Sequence, residues 1–127
     1  MLESLGGTAQ TEAAIVRSLE WLTRHQEPDG HWSILQHGGL QGHDVGATSL
    51  ALLCYMGWGA KHTEPGPYQA TIARGFDWLV KQVKYKGDMR NDGGTMYDHG
   101  MGAIALAEAY GLTKDPNLRE PLRKAIE

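Results

Sequence analysis

Cysteine is almost missing from this sequence: Cys54 is the only one in 127 residues, so no internal disulfide bond can form and a reducing compartment is suitable. No apolar run reaches the roughly 18 residues of a membrane-spanning helix. Residues 1–10 lack the basic start and apolar core of a signal peptide. The 12 Lys and Arg residues form no cluster and the net charge is −3, which argues against nucleic acid and anionic membranes as partners. These absences predict a cytoplasmic protein without a membrane span.

Apolar residues at helical spacing, punctuated by 17 glycines, dominate what is present. We predict a flexible lead-in over residues 1–10 and one helical domain over residues 11–127. The first predicted helix runs from a Thr11 N-cap to about Gln26, and the second runs from an Asp44 N-cap to about Gly57. The third has Pro67 in its first turn. The fourth covers Met101 to Tyr110 and is ended by Gly111, and a truncated fifth helix begins at Pro116.

These predicted helices differ in how their apolar residues are distributed. The first and third are amphipathic, whereas the second and fourth are apolar on all sides apart from Glu108. A helix that is apolar all round is expected to be buried all round. The alternation therefore predicts two layers, with the second and fourth helices inside.

The alternation of amphipathic and apolar helices follows an internal repeat of the sequence. Residues 15–22 align with 72–79 at an offset of 57, residues 44–46 align with 98–100 at an offset of 54, and residues 122–127 align with the start of both copies. The sequence predicts an all-α fold of two α/α hairpins plus a truncated fifth helix. Repeat 1 covers about 11–59, repeat 2 covers about 67–111, and the start of repeat 3 covers 116–127.

Two hairpins cannot cover their inner helices on every side. A closed ring of hairpins would supply the missing cover, and open repeat ends expose apolar surface. We therefore expect copies of the chain to associate. Three chains would complete a ring of about six hairpins, so a trimer is favoured and a dimer is the next choice.

The segment from Arg17 to Trp32 ends a helix with a glutamine and continues through a Gly-containing turn to a tryptophan. An amide side chain can satisfy backbone groups that are left unpaired where a helix stops. A large ring beside it can shield that hydrogen bond from water. The pair Gln26 and Trp32 therefore predicts a clasp between the helix end and its neighbour.

The clasp residues carry a resemblance to a known family. Arg17, Trp21, Gln26, Gly30 and Trp32 fit the QW repeat of the squalene-hopene and oxidosqualene cyclases in type and spacing. The wider pattern resembles the prenyltransferase and squalene-oxidase repeat superfamily, including uncharacterised bacterial members. The resemblance implies an α/α-toroid fold and a bacterial source. It also implies that the glutamine ties the outer helix to the N-terminus of the inner helix, with the tryptophan stacked on it.

A second, degenerate copy of this motif contains Trp78 and Gln82. Its glutamine comes one residue early, and its turn is replaced by a longer loop that ends in Gly93-Gly94 and Tyr97. We predict a second, weaker clasp at this position, with both motifs serving stability and hairpin geometry.

The resemblance also implies where catalytic groups would lie. Related cyclases protonate an alkene with an Asp-rich motif at the start of an inner helix, but the matching positions here hold only Asp44 and Asp98. Helix capping is the favoured role for both, which leaves Asp44, Asp98 and His99 as weak catalytic candidates. Toroidal prenyltransferases hold zinc through Asp, Cys and His, which makes His43, Asp44, Asp98 and His99 the metal candidates. No cofactor is predicted, with zinc or magnesium as the weaker alternative, because zinc-ligand spacing is absent.

Three aromatic residues at or near the inner helices, Tyr55, Trp58 and Tyr110, would line a central cavity or pack in the core.

The sequence favours a non-catalytic, terpene-cyclase-like repeat segment that serves as a self-associating scaffold or as a binding domain for a hydrophobic or isoprenoid molecule. The alternative is a fragment of an isoprenoid-processing enzyme, of terpene cyclase or prenyltransferase type, whose acids or metal ligands lie outside this chain.

Overall fold

The computed structural model describes residues 6–91 and 93–127. It contains the following elements: α1 (Ala9–His25), a short 3-10 helix (Leu35–His37), α2 (Asp44–Trp58), α3 (Gln69–Lys81), α4 (Met96–Thr113) and α5 (Pro116–Ile126). No strand occurs within these two ranges, so the prediction of an all-α chain is confirmed.

Helices α2 and α4 pack side by side and form the most extensive helix pair. Helix α3 packs on α2, α5 packs on α4, and α1 makes a smaller contact with α2. Fully buried side chains from several elements fill the centre: Val45, Leu52, Tyr55, Ile72, Leu79, Met89 and Leu106. Across the described ranges, no helix combines the length and apolar character that crossing a membrane requires.

Helix α1 begins earlier than the sequence predicts. Thr8 is its N-cap, and its hydroxyl accepts a hydrogen bond from the Thr11 backbone N–H at 3.1 Å. Thr11 is therefore inside the helix, and the predicted lead-in is wrong for residues 9 and 10. The part of the lead-in at residues 1–5 lies outside the described residues.

Helix α4 is longer than predicted at both ends. Thr95 caps its start, and a carboxylate oxygen of Asp98 accepts the Thr95 backbone N–H at 2.9 Å, which completes a capping box. Gly111 lies inside the helix, because the left-handed residue that ends it is Lys114, with φ 55°. The other shifts are small: α3 begins two residues after Pro67, and α5 begins at Pro116 behind an Asp115 cap.

Helices α2 and α4 are not buried all round, which corrects the sequence-based expectation. Leu50 on α2 is 44% exposed and Ile104 on α4 is 53% exposed. These two residues align at the repeat offset of 54, and so do Cys54 and Glu108, which are exposed one turn further along. The same face of both helices is therefore open, because one chain provides neighbours for only part of each helix.

Candidate functional site

Gln26 links the end of α1 to α3. Its Nε2 donates to the carbonyl oxygens of Gly30 and Thr71, each at 2.9 Å, and its Oε1 accepts from Arg74 Nη2 at 2.7 Å. Thr71 and Arg74 belong to α3. The family resemblance implies a link to the N-terminus of α2 instead, so the structure differs from that expectation. The glutamine joins two successive amphipathic helices and thereby connects repeat 1 to repeat 2.

The turn after Gln26 lies directly on the backbone of α3. The Glu27 N–H donates to the His31 carbonyl at 2.8 Å, and the Gly30 N–H donates back to the Glu27 carbonyl at 2.9 Å. Gly30 has φ 105°, and a Cβ at this position would clash with the Arg74 carbonyl oxygen. Glycine is required for both the left-handed conformation and the close approach. We call residues 27–31 the first turn.

Trp32 is held by three helices. Its indole Nε1 donates to the Leu22 carbonyl of α1 at 2.8 Å, and its backbone N–H donates to the Thr48 hydroxyl of α2 at 2.9 Å. Its ring reaches Gly75 on α3, where a Cβ would lie 3.3 Å from a ring carbon. On the same surface of α3, the Trp78 ring stacks on His31 with 5.1 Å between centroids. Trp32 is therefore a buried junction residue.

Arg17 and Trp21 lie outside the clasp. Arg17 is exposed on α1, and Trp21 is 42% exposed and stacks on His25 at 3.8 Å between centroids. Both line an open pocket on the surface of α1, together with Ala14, Ser18 and Leu22. At the repeat offset of 57, Arg17 corresponds to Arg74 and Trp21 to Trp78. The residues that contact the first turn on α3 thus have counterparts on α1 that line an open surface pocket, with the Trp21 ring also 5.4 Å from the His37 ring between centroids.

A second turn with the same hydrogen bonds occurs at residues 84–88, which we call the second turn. The Lys84 N–H donates to the Asp88 carbonyl at 3.2 Å, and the Gly87 N–H donates to the Lys84 carbonyl at 2.8 Å. Gly87 lies against the Lys124 carbonyl of α5, as Gly30 lies against α3. The expected replacement of this turn by a longer loop is therefore wrong. The 57-residue spacing of Gly30 and Gly87 is the signal that sequence reasoning missed.

The second glutamine does not form a clasp. Gln82 Nε2 donates to the Trp78 carbonyl at 3.0 Å, within the same helix end. The residue that follows the second turn is the fully buried Met89, whereas Trp32 follows the first turn. Tyr97, expected to end a loop, lies exposed in the first turn of α4.

Asp98 connects the N-termini of α4 and α2. Its side chain is fully buried and accepts hydrogen bonds from Thr95 N–H at 2.9 Å, His43 Nδ1 at 2.9 Å and Gly46 N–H at 3.3 Å. Burial raises the pKa of Asp98, but the bonds from Thr95 and His43 outweigh it and hold the pKa below its ordinary value. Asp98 therefore stays ionised and acts as a shared cap.

Asp44 and His99 have separate partners. Asp44 is the first residue of α2 rather than its N-cap, which is His43, and its carboxylate lies 3.6 Å from His31 Nε2. The Met89 N–H donates to His99 Nδ1 at 3.3 Å, so the proton of the ring is on Nε2, which donates to the Ala125 carbonyl at 3.0 Å. Both nitrogens of His99 are therefore occupied by the protein.

The structure does not bring the candidate catalytic and metal residues together as one site. His43 and Asp98 form a pair, whereas Asp44 and His99 point to other partners. Within residues 6–91 and 93–127, no group of three or more His, Cys, Asp or Glu side chains has the arrangement of a metal site. Protonation of an alkene requires a neutral carboxylic acid, and the lowered pKa of Asp98 favours the opposite state.

The three aromatic candidates occupy different surroundings. Tyr55 is fully buried, and its hydroxyl bonds to the Leu19 carbonyl at 3.1 Å and to the Thr23 hydroxyl at 2.8 Å, so it is a core residue. Trp58 and Tyr110 are half-buried and pack against the core. Tyr55 therefore does not line a cavity.

Comparison with protein-family models, with curated proteins and with solved structures found no match to this chain.

Proposed function

We propose that the chain is a non-catalytic repeat scaffold of the α/α-toroid type that associates with copies of itself. A trimer is the favoured assembly, and a dimer is the next choice. The observation that carries the proposal is the junction between α1 and α3, at which a Gly-containing turn lies on a helix face. The matching face on α1 is open. Repeat proteins bury such faces against the next repeat.

The open faces of α2 and α4 support the same proposal. Leu50, Cys54 and Ile104 are exposed apolar residues on corresponding faces of two adjacent helices, and Glu108 is an exposed charged residue on the same face. Exposed apolar patches are typical of protein–protein or ligand-binding surfaces. In a closed ring these faces would surround a shared interior that suits a hydrophobic or isoprenoid molecule.

The buried Asp98 favours the scaffold over the enzyme alternative. Its carboxylate is committed to two helix N-termini and stays ionised, so it is unsuited to donate a proton. An enzyme built on this chain would have to obtain its acid from elsewhere.

Sedimentation velocity over a wide range of protein concentration tests the proposal. We expect a species of three times the 13.9 kDa chain mass to grow with concentration at the expense of the monomer. A chain that remains monomeric at every concentration would contradict self-association.

A further inference from the structure

We infer that a second copy of this chain docks its helix α1 on the second turn of the first copy, in the place that α5 occupies there. This inference rests on the proposed self-association and specifies the interface. The open α1 face is thus covered by another copy of the chain. On association, α1 of the second copy replaces α5 of the first copy, which is its counterpart in sequence.

The junction inside the chain provides the template. The first turn lies on α3 at the backbone of Arg74, with Trp32 against Gly75 and with His31 stacked on Trp78. Helix α3 also packs on α2, and Leu52 of α2 approaches Gly75 next to the Trp32 ring. One amphipathic helix can therefore keep its own packing partner and receive a turn from the neighbouring repeat at the same time.

Helix α1 presents the same kind of face, and it is open apart from the His37 ring, whose centroid lies 5.4 Å from that of Trp21. Ala14, Arg17, Ser18 and Trp21 align with Thr71, Arg74, Gly75 and Trp78, and they line the open pocket on α1. Arg74 donates to a glutamine, whereas Arg17 has no hydrogen bond or ion pair among the described residues. Because Ser18 has a Cβ where Gly75 has none, the face suits a turn that is followed by a flexible side chain better than one followed by an indole.

The second turn fits this requirement. It has the backbone hydrogen bonds of the first turn, but Met89 follows it in place of Trp32. Methionine adapts its shape to irregular surfaces more readily than tryptophan does. The side-chain oxygen of Gln82, two residues before the turn, accepts no hydrogen bond among the described residues.

Helix α5 occupies the second turn within the chain, and it is a sequence counterpart of α1. Its residues 122–127 align with residues 15–20 of α1. The backbone carbonyl of Lys124 lies against Gly87, as the backbone carbonyl of Arg74 lies against Gly30. Helix α5 is held by buried Leu118 and by the Asp115–His62 pair at 2.7 Å. Changes that loosen α5 should therefore favour docking of α1 from a second copy.

Sedimentation velocity on four variants of the full chain tests the exchange. Leu118→Ala loosens α5 and should raise the association constant by at least about tenfold, because the removed side chain is buried. Ser18→Trp fills the receiving face of α1 and should lower the association constant, and in the double variant Leu118→Ala/Ser18→Trp it should reverse the increase. Glu20→Trp is the matched control: it adds the same ring on α1 at the position of Asp77, which remains exposed at the internal junction.

The outcomes separate the two proposals. If the chain associates but Ser18→Trp behaves like Glu20→Trp, the inferred interface is wrong and self-association stands. Association of Leu118→Ala that Ser18→Trp does not reverse would reflect nonspecific contact of exposed apolar surface and would also overturn the inference. If every variant, including Leu118→Ala, stays monomeric while circular dichroism shows native helix content, both proposals fail.

Discussion

At the residue scale, two glutamines at corresponding helix ends have different roles. Gln26 makes three hydrogen bonds, two of them to α3 and one to Gly30, whereas Gln82 bonds only to Trp78 in its own helix end. The difference follows from one residue of spacing, because Gln82 precedes its turn by one residue more than Gln26 does. Residue type alone therefore did not determine which glutamine bridges the repeats.

Paired alanine substitutions test this difference. Gln26→Ala should lower the free energy of unfolding by about 2 kcal/mol, because the Thr71 carbonyl and the Arg74 guanidinium lose their partner. Gln82→Ala should lower it by less than about 1 kcal/mol, because only a local bond is lost. Urea denaturation followed by circular dichroism measures both. Equal losses would mean that the contact between α1 and α3 adds nothing to stability.

At the element scale, the sequence identified five helices and placed the start of α5 correctly, because Pro116 is a strong local signal. The remaining boundaries shifted. Glycine at position 111 does not end α4: the helix continues to Thr113, whose hydroxyl donates to the Ala109 carbonyl at 2.7 Å, and ends at Lys114 in the left-handed conformation. The first turn was predicted from Gly30, whereas the second turn at residues 84–88 was not.

Two glycines with nearly equal φ allow the cost of backbone strain to be measured apart from the cost of a close contact. Gly59 has φ 102° and open space around it, so Gly59→Ala should lower the free energy of unfolding by about 1 kcal/mol through backbone strain alone. Gly30 has φ 105° and lies on the Arg74 carbonyl, so Gly30→Ala should lower it by about 3 kcal/mol because the turn must also move. Thermal or urea unfolding compares the two variants. A Gly30→Ala loss no larger than that of Gly59→Ala would show that the turn is not pressed onto α3.

At the scale of the whole molecule, two carboxylate–histidine pairs connect elements that are far apart in sequence. His43 meets Asp98 across the α2–α4 interface, and His62 meets Asp115 at the start of α5. In Asp115 the hydrogen bond from His62 is the largest cause that lowers the pKa. Both carboxylates favour the folded state when ionised, so the packing of the chain depends on pH in the acidic range.

Asp98→Asn tests this dependence. The folded chain lowers the pKa of Asp98 below its value of 3.8 in the unfolded chain, so its contribution to stability is present above pH 3.8 and is lost as the pH falls through the folded pKa. At pH 7 the variant should be less stable by about 2 kcal/mol, and it should lose less stability than the wild type on acidification below pH about 4. Urea titrations at several pH values measure this, with the exposed Asp77→Asn as the control. Parallel pH profiles of wild type and Asp98→Asn would contradict the role of Asp98.

The sequence by itself determined the helical class, the approximate positions of the helices and the alignment of the two repeats, because apolar periodicity and glycine spacing are local properties of the chain. The helix-end glutamine, the Gly-containing turn and the tryptophan after it singled out Gln26, Gly30 and Trp32. Only the tertiary structure decided that Gln26 binds α3, that Asp98 caps two helices and that one face of α2 and α4 stays open. The physical reason is that apolar composition shows how much surface a helix can bury, whereas the neighbours within one chain decide how much of it is buried.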